Sequence, residues 1–223
     1  MNRDVLVVIG AGGLGLAIAR RQVGSGKSIL LADFSESALQ AGAKALEHAG
    51  HTVATQIVDV SSRESVNSLA QRADRMGSVM QLAQAAGVSP TQAPPAVVLA
   101  VDLVGTALVL EAFGRVIVPG GAGVHISSMA GHRGNPLDPA HAEALAHTPA
   151  DELLMLPFLD ATSVPTSTIA YEISKRGMPC ASSLPASFGA TGVPASTRSA
   201  PASSRRRWPA MRWPDRAHRF FKT

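Results

Sequence analysis

Hydrophobic and polar positions change period repeatedly along the chain, and the changes set out an alternation of strands and helices. Val5 to Ile9 is an unbroken apolar run closed by glycines, the pattern of a strand buried on both faces. Leu14 to Val23 then places apolar residues at helical spacing. "SILLAD" (28–33) repeats the strand pattern, and "SESALQAGAKALEHAG" (35–50) reads as a helix capped by Ser35 and stopped by Gly50. "TVATQIVDV" (52–60) predicts a third strand, 62–74 a helix, and "SVMQLAQAAG" (78–87) a fourth strand. A long helix follows over Pro95 to Val116, and then a fifth strand at "GAGVHISS" (121–128). Strands and helices in this order predict an α/β domain with a parallel, doubly wound sheet, the Rossmann architecture.

From Ala130 to Thr168 the alternation stops. Two short helical patches, near 139–147 and 150–156, sit among prolines and read as an excursion from the sheet. Helical spacing resumes at Ile169, and Pro179 and Pro185 are expected to end that helix within a few residues of Lys175. Beyond Gly177 the periodicity gives way to six prolines, many serines and a run of arginines. The chain therefore divides into a domain over 1–177, with its insertion at about 130–168, and an irregular tail over 178–223.

Charge follows the same division. Residues 1–177 hold 12 Lys/Arg against 15 Asp/Glu, whereas 178–223 hold 8 Lys/Arg and a single acid, Asp215. The basic balance belongs to the tail, so the folded body lacks the basic face that a nucleic-acid binder needs. The one cysteine, Cys180, allows no intrachain disulfide, which fits a reducing cytoplasm. "VLVVIGAGGLGLAIA" is interrupted by glycines and is not read as a signal sequence, and no apolar run is expected to reach the length of a bilayer span.

Chemistry enters at "GAGGLG". Gly10, Gly12 and Gly15 spell G-x-G-x-x-G directly after a predicted strand and at the opening of a helix, and Asp33 closes the next strand 23 residues after Gly10. That context is what a dinucleotide-binding turn requires. Glycines let the backbone approach a pyrophosphate, and the helix N-terminus presents N–H groups to it. Gly10, Gly12, Gly13, Leu14 and Gly15 are the candidate cradle. The Asp33 carboxylate would accept hydrogen bonds from both ribose hydroxyls and repel a 2′-phosphate, so NAD is expected over NADP. The plainer alternative, a glycine turn that only packs helix on strand, does not account for the acid.

Over about residues 4 to 176 the sequence resembles the short-chain dehydrogenase/reductase family. Asp59-Val60 is similar to the acidic-apolar pair that contacts adenine there. "QAAG" (84–87) stands where the family has N-N-A-G, which makes Ala86 and Gly87 candidate cofactor contacts. "VDLVG" (101–105) is similar to V-N-x-x-G, "ISS" (126–128) to the catalytic serine strand, and "YEISK" (171–175) to Y-x-x-x-K. The resemblance implies an oxidoreductase that interconverts a secondary alcohol and a ketone with a nicotinamide cofactor. Tyr171 would be the general acid/base, and the ammonium of Lys175, one helical turn on, would favour its phenolate form and also bind the nicotinamide ribose. Ser128 would hold the substrate oxygen while charge develops on it. The family's fourth catalytic position is filled by Asp102.

The sequence departs from the family pattern in three places. Asp102 replaces an asparagine, and an ionised carboxylate can only accept hydrogen bonds. Gln84, Ala85 and Ala86 replace the asparagines after the fourth strand. Ser128 and Tyr171 lie 43 residues apart, well beyond the family's short link. Some hydroxysteroid dehydrogenase/carbonyl reductases are similar in carrying an insertion there, which is expected either to cover the substrate pocket or to rearrange dimer contacts. The resemblance also implies a homo-oligomer paired through the helices flanking the catalytic face, and the altered C-terminal segment argues against it. A small alcohol or ketone is the expected partner, with no nucleic acid and no membrane.

Other candidates carry less. His125, His132, His141 and His147 have no metal-ligand spacing and read as surface or loop histidines. Arg205, Arg206 and Arg207 with Trp208 and Trp213 lie in a segment without periodicity and read as a disordered basic tail. Read one base out of register, with Ser as TCN and Arg as CGN codons, Ala195 to Trp208 admits RVNSISPGIISTPL. That is the strand and P-G loop which the resemblance calls for, so the tail is expected to be a shifted reading frame. A gene in which no single-base change restores that frame would refute the idea.

Overall fold

A computed structural model describes residues 3–22, 27–132 and 136–181. The tail from 182 onward, with the basic-aromatic stripe and the frame-shift segment, lies outside the described residues. Five parallel strands form one sheet in the order β3-β2-β1-β4-β5. They are β1 (Asp4–Ile9), β2 (Ser28–Asp33), β3 (Thr52–Ile57), β4 (Ser78–Gln84) and β5 (Ile117–His125).

Alternation along β1 explains the unbroken apolar runs. Val5, Val7 and Ile9 face one side, where α3 (Arg63–Met76) and the long helix bury Val66, Leu69, Leu108 and Phe113 against them. Leu6 and Val8 face the other, packed with Ala19 of α1 (Gly13–Gln22) and with Leu39 and Leu46 of α2 (Glu36–His48). Each face of β1 is thus core, which is why its run from Val5 to Ile9 is unbroken. Ser35 and Ser62 cap α2 and α3 through their side-chain oxygens, and Gly50 takes the positive φ of 86° that ends the α2 segment.

The predicted strands over 52–60 and 78–87 end earlier, at Ile57 and Gln84. Their last residues are apolar because they belong to loops packed at the C-terminal edge of the sheet. The fifth strand runs Ile117–His125 rather than 121–128. Its register jumps from Val79↔Ile117 to Gln81↔Ala122, so the Pro119–Gly121 stretch bulges from the ladder, with Gly120 at φ 84°. Among the described residues β5 pairs only with β4, and Val124 remains 50% exposed.

The long helix spans Pro95–Phe113: α4 (Pro95–Val98), a π-helical segment (Leu99–Val104) and α5 (Gly105–Phe113). Contrary to the expectation from sequence, this stretch is apolar and long enough to cross a membrane by composition alone. It is instead the core helix of the domain, 67% buried inside the fold.

The insertion forms a 3₁₀ turn (Met129–His132), α6 (Pro139–His147) and two further 3₁₀ segments (Ala150–Met155 and Pro157–Leu159). Leu145, Ala150, Leu153, Leu159 and Val164 are buried in the same core as α3 and the long helix. Arg63 adds ion pairs to Glu111 at 2.8 Å and to Asp151 at 2.7 Å. Pairs near the surface contribute about 0.2–1 kcal/mol each, against about 1.5–3 kcal/mol for a fully buried Leu, so apolar burial holds the insertion in place. The last helix, α7 (Ser167–Ala181), continues past Pro179, beyond the expected stop.

Candidate functional site

The C-terminal ends of β1, β2, β4 and β5 converge on one edge of the sheet. At the end of β1, Gly10 has φ 104°, and a Cβ there would sit 2.7 Å from Ala86 N. A Cβ on Gly15 would sit 1.8 Å from Gly10 O, so this glycine lets α1 approach the strand. Gly12 and Gly13 differ in kind, since a Cβ on either meets nothing within 4 Å. Two glycines of the turn are thus packed from below and two face open space. The open pair lies beside the first, unpaired N–H groups of α1, whose first turn has no acid. This cradle fits a pyrophosphate.

Asp33 ends β2, its Oδ2 accepting from Ala11 N at 2.6 Å and its Oδ1 from Ser35 N at 2.8 Å. The carboxylate therefore braces the glycine turn and retains lone pairs on both oxygens. Beside it Phe34 is 75% exposed, and Leu14 and Ile57 are exposed at the same sheet edge. A large apolar residue directly after the strand-ending acid was the available signal for Phe34. Asp59 Oδ1 accepts from Ser61 N and Oγ, while Val60 is buried with its side chain against Gly105.

After β4, buried Gln84 turns its Oε1 back to accept from Ala86 N at 3.2 Å, leaving its Nε2 without a hydrogen-bond partner. Gly87 is exposed, and a Cβ there would lie 2.9 Å from Asp102 Oδ1 and 3.4 Å from Lys175 Nζ. Asp102 is buried in the π-helical segment, a widened turn of a kind that recurs at functional sites. Its backbone carbonyl accepts from Thr106 Oγ1 at 2.7 Å, and its Oδ1 accepts from Val88 N at 2.9 Å. Its Oδ2 lies 3.4 Å from the ammonium of Lys175, itself only 5% exposed. Burial pushes the Asp102 carboxyl above the ordinary carboxylate range, and Lys175 and the Val88 N–H pull it back.

Tyr171 and Lys175 share one face of α7, with Nζ 5.3 Å from the centre of the Tyr171 ring. Ser128 leads from β5 into the 3₁₀ turn, its Oγ accepting from Ala130 N at 3.2 Å. That turn is fastened to α7 where Lys175 sits. Ser127 Oγ donates to Lys175 O at 3.1 Å, and Arg176 Nε donates to Gly131 O at 2.8 Å. Proline has no N–H to donate to the carbonyl four residues back, and Ser127 bonds the Lys175 carbonyl that Pro179 leaves open. This bond helps the helix continue.

His125 corrects a sequence expectation. It stands at the end of β5, opposite Gln84 in the ladder, and is not a surface or loop histidine. Burial, with Lys175 nearby, lowers its pKa to about 4, so the ring is neutral at physiological pH. Its place between Val124 and Ile126, in an apolar strand, was the signal. His141 stacks on Phe158 at 4.0 Å within the insertion. Among the described residues no cluster of His, Cys, Asp or Glu has the makings of a metal site.

Known proteins are similar to this chain in sequence and in fold. The family model described as short chain dehydrogenase matches residues 4–143. The Short-chain dehydrogenase/reductase bsc3 of Alternaria brassicicola is 42% identical over 178 residues, covering 79% of this chain and 64% of its own length. A galactitol 2-dehydrogenase (L-tagatose-forming) of Cereibacter sphaeroides is 36% identical over 135 residues, 56% of this chain and 52% of the relative. The chain thus spans less than two thirds of the length of these curated relatives. Among solved structures, NAD+-bound xylitol dehydrogenase superposes with a TM-score of 0.58 at 25% identity, over 79% of this chain and 61% of that one. An actinorhodin polyketide ketoreductase with NADPH gives 0.55 at 26% identity, over 78% and 60%. With the nucleotide-binding sheet and the matching profile both in place, the chain belongs to the short-chain dehydrogenase/reductase family of oxidoreductases.

Proposed function

We propose that the chain is an NAD-dependent oxidoreductase that interconverts a secondary alcohol and a ketone by hydride transfer. The observation that carries this reading is the pairing of Lys175 with Tyr171 on one face of α7, the buried ammonium 5.3 Å from the phenol ring. Gly10, Gly12, Gly13, Leu14 and Gly15 would hold the pyrophosphate, and Asp33 the adenosine ribose. Asp59, Val60, Ala86 and Gly87 would line the path of the cofactor. A carboxylate at the ribose disfavours a 2′-phosphate by charge repulsion, which is the ground for NAD over NADP. A bound nicotinamide supplies or accepts the hydride.

The protein's own residues move the proton and hold the charge. Tyr171 Oη gives its proton to the substrate oxygen in reduction and receives it in oxidation. Ser128 Oγ donates a hydrogen bond to the same oxygen as negative charge builds on it. Lys175 keeps positive charge beside the phenol and binds the nicotinamide ribose. Similarity to a galactitol 2-dehydrogenase and, in fold, to a xylitol dehydrogenase supports a secondary alcohol as the substrate class. The packing of α6 on α7 and of Ala150–Met155 beside the π segment favours a role for the insertion on the helical face. The cytoplasm is the proposed setting, on the ground of the single cysteine.

Calorimetric titration with NAD and NADP, followed by turnover of an alcohol and ketone panel, tests the reading. Binding of NAD over NADP is expected, with turnover that Tyr171→Phe abolishes and binding that it leaves intact. A second reading, an NAD-binding remnant without turnover, draws on the open far side of β5 among the described residues. Cofactor binding with no turnover of any substrate would favour it.

A further inference from the structure

The turn that follows β5 is closed on itself and seated on α7. Ser128 Oγ accepts from Ala130 N at 3.2 Å, and Gly131 N donates to Ser128 O at 3.1 Å. Because the Ser128 hydroxyl accepts from the turn, its own hydrogen stays available to donate. Gly131 is buried flat against the peptide that joins Lys175 to Arg176. A Cβ there would lie 2.6 Å from Lys175 O, 2.8 Å from Lys175 C and 3.1 Å from Arg176 N.

Two hydrogen bonds cross this contact. Ser127 Oγ donates to Lys175 O at 3.1 Å, and Arg176 Nε donates to Gly131 O at 2.8 Å. Pro179 has no N–H for the Lys175 carbonyl, so the Ser127 hydroxyl meets an acceptor that the helix itself does not use at that position. Ser127 directly precedes Ser128, and Lys175 lies one helical turn after Tyr171. On the sheet side, Ile126 N donates to Gln84 O at 3.0 Å, and the chain then leaves the strand. The placement of Ser128 therefore depends on the helix more than on the sheet.

We propose that Ser127 and Gly131 are positioning residues: Gly131 admits the turn to the Lys175 peptide, and the Ser127 hydroxyl fixes it there, so that Ser128 and Tyr171 reach the same substrate oxygen. The inference rests on the reading of Ser128, Tyr171 and Lys175 given above, and adds the groups that align them. Neither residue supplies a reacting atom. Both act through the backbone that carries Ser128 and Lys175.

Steady-state kinetics on the alcohol and ketone panel, with NAD calorimetry on the same proteins, tests the inference. A misplacement of about 1 Å costs roughly 100-fold in rate, so Ser127→Ala should lower kcat by on the order of 10- to 100-fold. KM and NAD affinity should stay native, and Ser127→Thr, which keeps the hydroxyl, should recover kcat. Gly131→Ala should lower kcat at least as far, with circular dichroism establishing that it is folded. Should it fail to fold, the Ser127 series decides alone. A native kcat in Ser127→Ala, a Ser127→Thr protein no faster than Ser127→Ala, or a loss carried by KM or NAD affinity would overturn the positioning role. With Tyr171→Phe inactive, each of these results leaves the reading of Ser128, Tyr171 and Lys175 standing. Turnover retained by Tyr171→Phe, or a native protein without turnover, would remove that reading and the inference with it.

Discussion

Gly12 and Gly15 belong to the same turn and should fail in opposite ways when replaced by alanine. At Gly15 the new methyl would lie 1.8 Å from the Gly10 carbonyl and 3.3 Å from Val8 Cγ1. Backbone cannot swing aside as a side chain can, so α1 must lift from β1 by more than 1 Å, about the shortfall from van der Waals contact. Overpacking of that kind costs about 1–3 kcal/mol or more. For a domain of this size that lowers the melting temperature by roughly 2–4 °C per kcal/mol. At Gly12 the methyl meets no atom within 4 Å, and its φ is not in the left-handed region. Stability should therefore stay within about 0.5 kcal/mol of native, the range of changes away from packed features. The methyl would occupy the space proposed for the pyrophosphate, and a steric penalty of about 1–3 kcal/mol there weakens NAD by roughly 5- to 150-fold. Urea denaturation and NAD calorimetry on both variants separate the two effects. A Gly12→Ala protein that binds NAD like the native chain would refute the cradle, and a Gly15→Ala protein of native stability would refute the packing argument.

Three further outcomes follow from the same geometry. His125 is protonated near pH 6.5 when unfolded but only near 4 in the fold, so native stability is full above the unfolded pKa and falls as pH drops between the two. The loss amounts to up to about 3 kcal/mol, and His125→Asn should flatten it in urea titrations across that range; Asp102, held above its ordinary range, runs in the opposite sense. Leu153→Ala removes a side chain that is 1% exposed, and should lower the urea midpoint by the equivalent of about 2–5 kcal/mol with an unchanged slope. A negligible change would mean that the insertion is not part of the core. Asp33→Asn keeps one acceptor for Ala11 or Ser35 but loses the charge, so NAD affinity should fall by about tenfold and the preference over NADP should narrow. An unchanged ratio of the two affinities would remove Asp33 as the discriminating group.

The central strands were legible in the sequence because both of their faces are core, which forces a continuous apolar run. Their ends were not, since Val58, Val60 and Ala86 are apolar for a different reason: they pack in the loops at the C-terminal edge of the sheet. The π-helical segment left no trace in the periodicity, which a single widened turn barely disturbs. Asp102, an acid amid Val, Leu and Gly, was its only mark. The tight turn at Gly10 and Gly15 and the shared helix face of Tyr171 and Lys175 were readable because close backbone approach and a four-residue helical spacing each leave a fixed pattern. His125 was misread because an isolated histidine carries no spacing; only its position in an apolar strand points inward. The helix running through Pro179 could not be foreseen locally, since the bond that Lys175 O receives comes from Ser127, 48 residues away.

That last contact bears on how the candidate catalytic residues are held together. β5 receives ladder bonds on one side only among the described residues, and its register is interrupted by the bulge at Gly120 and Gly121. A strand held this way fixes the residues after it weakly. At the end of β5 the chain is still tied to β4 through Ile126 N donating to Gln84 O at 3.0 Å. Beyond that point α7 takes over. A Cβ at Gly131 would lie 2.6 Å from Lys175 O, so the 3₁₀ turn and the helix meet backbone to backbone, and Ser127 and Arg176 bond across the same contact. The spacing of Ser128 from Tyr171 and Lys175 is thus set by direct contact between the 3₁₀ turn and α7, despite the 43 residues that separate Ser128 from Tyr171 in sequence. This is why an insertion of that length is tolerated between them. Its two ends are pinned at one place, and the cost of lengthening the loop between fixed ends grows only logarithmically, by about 0.6 kcal/mol per doubling.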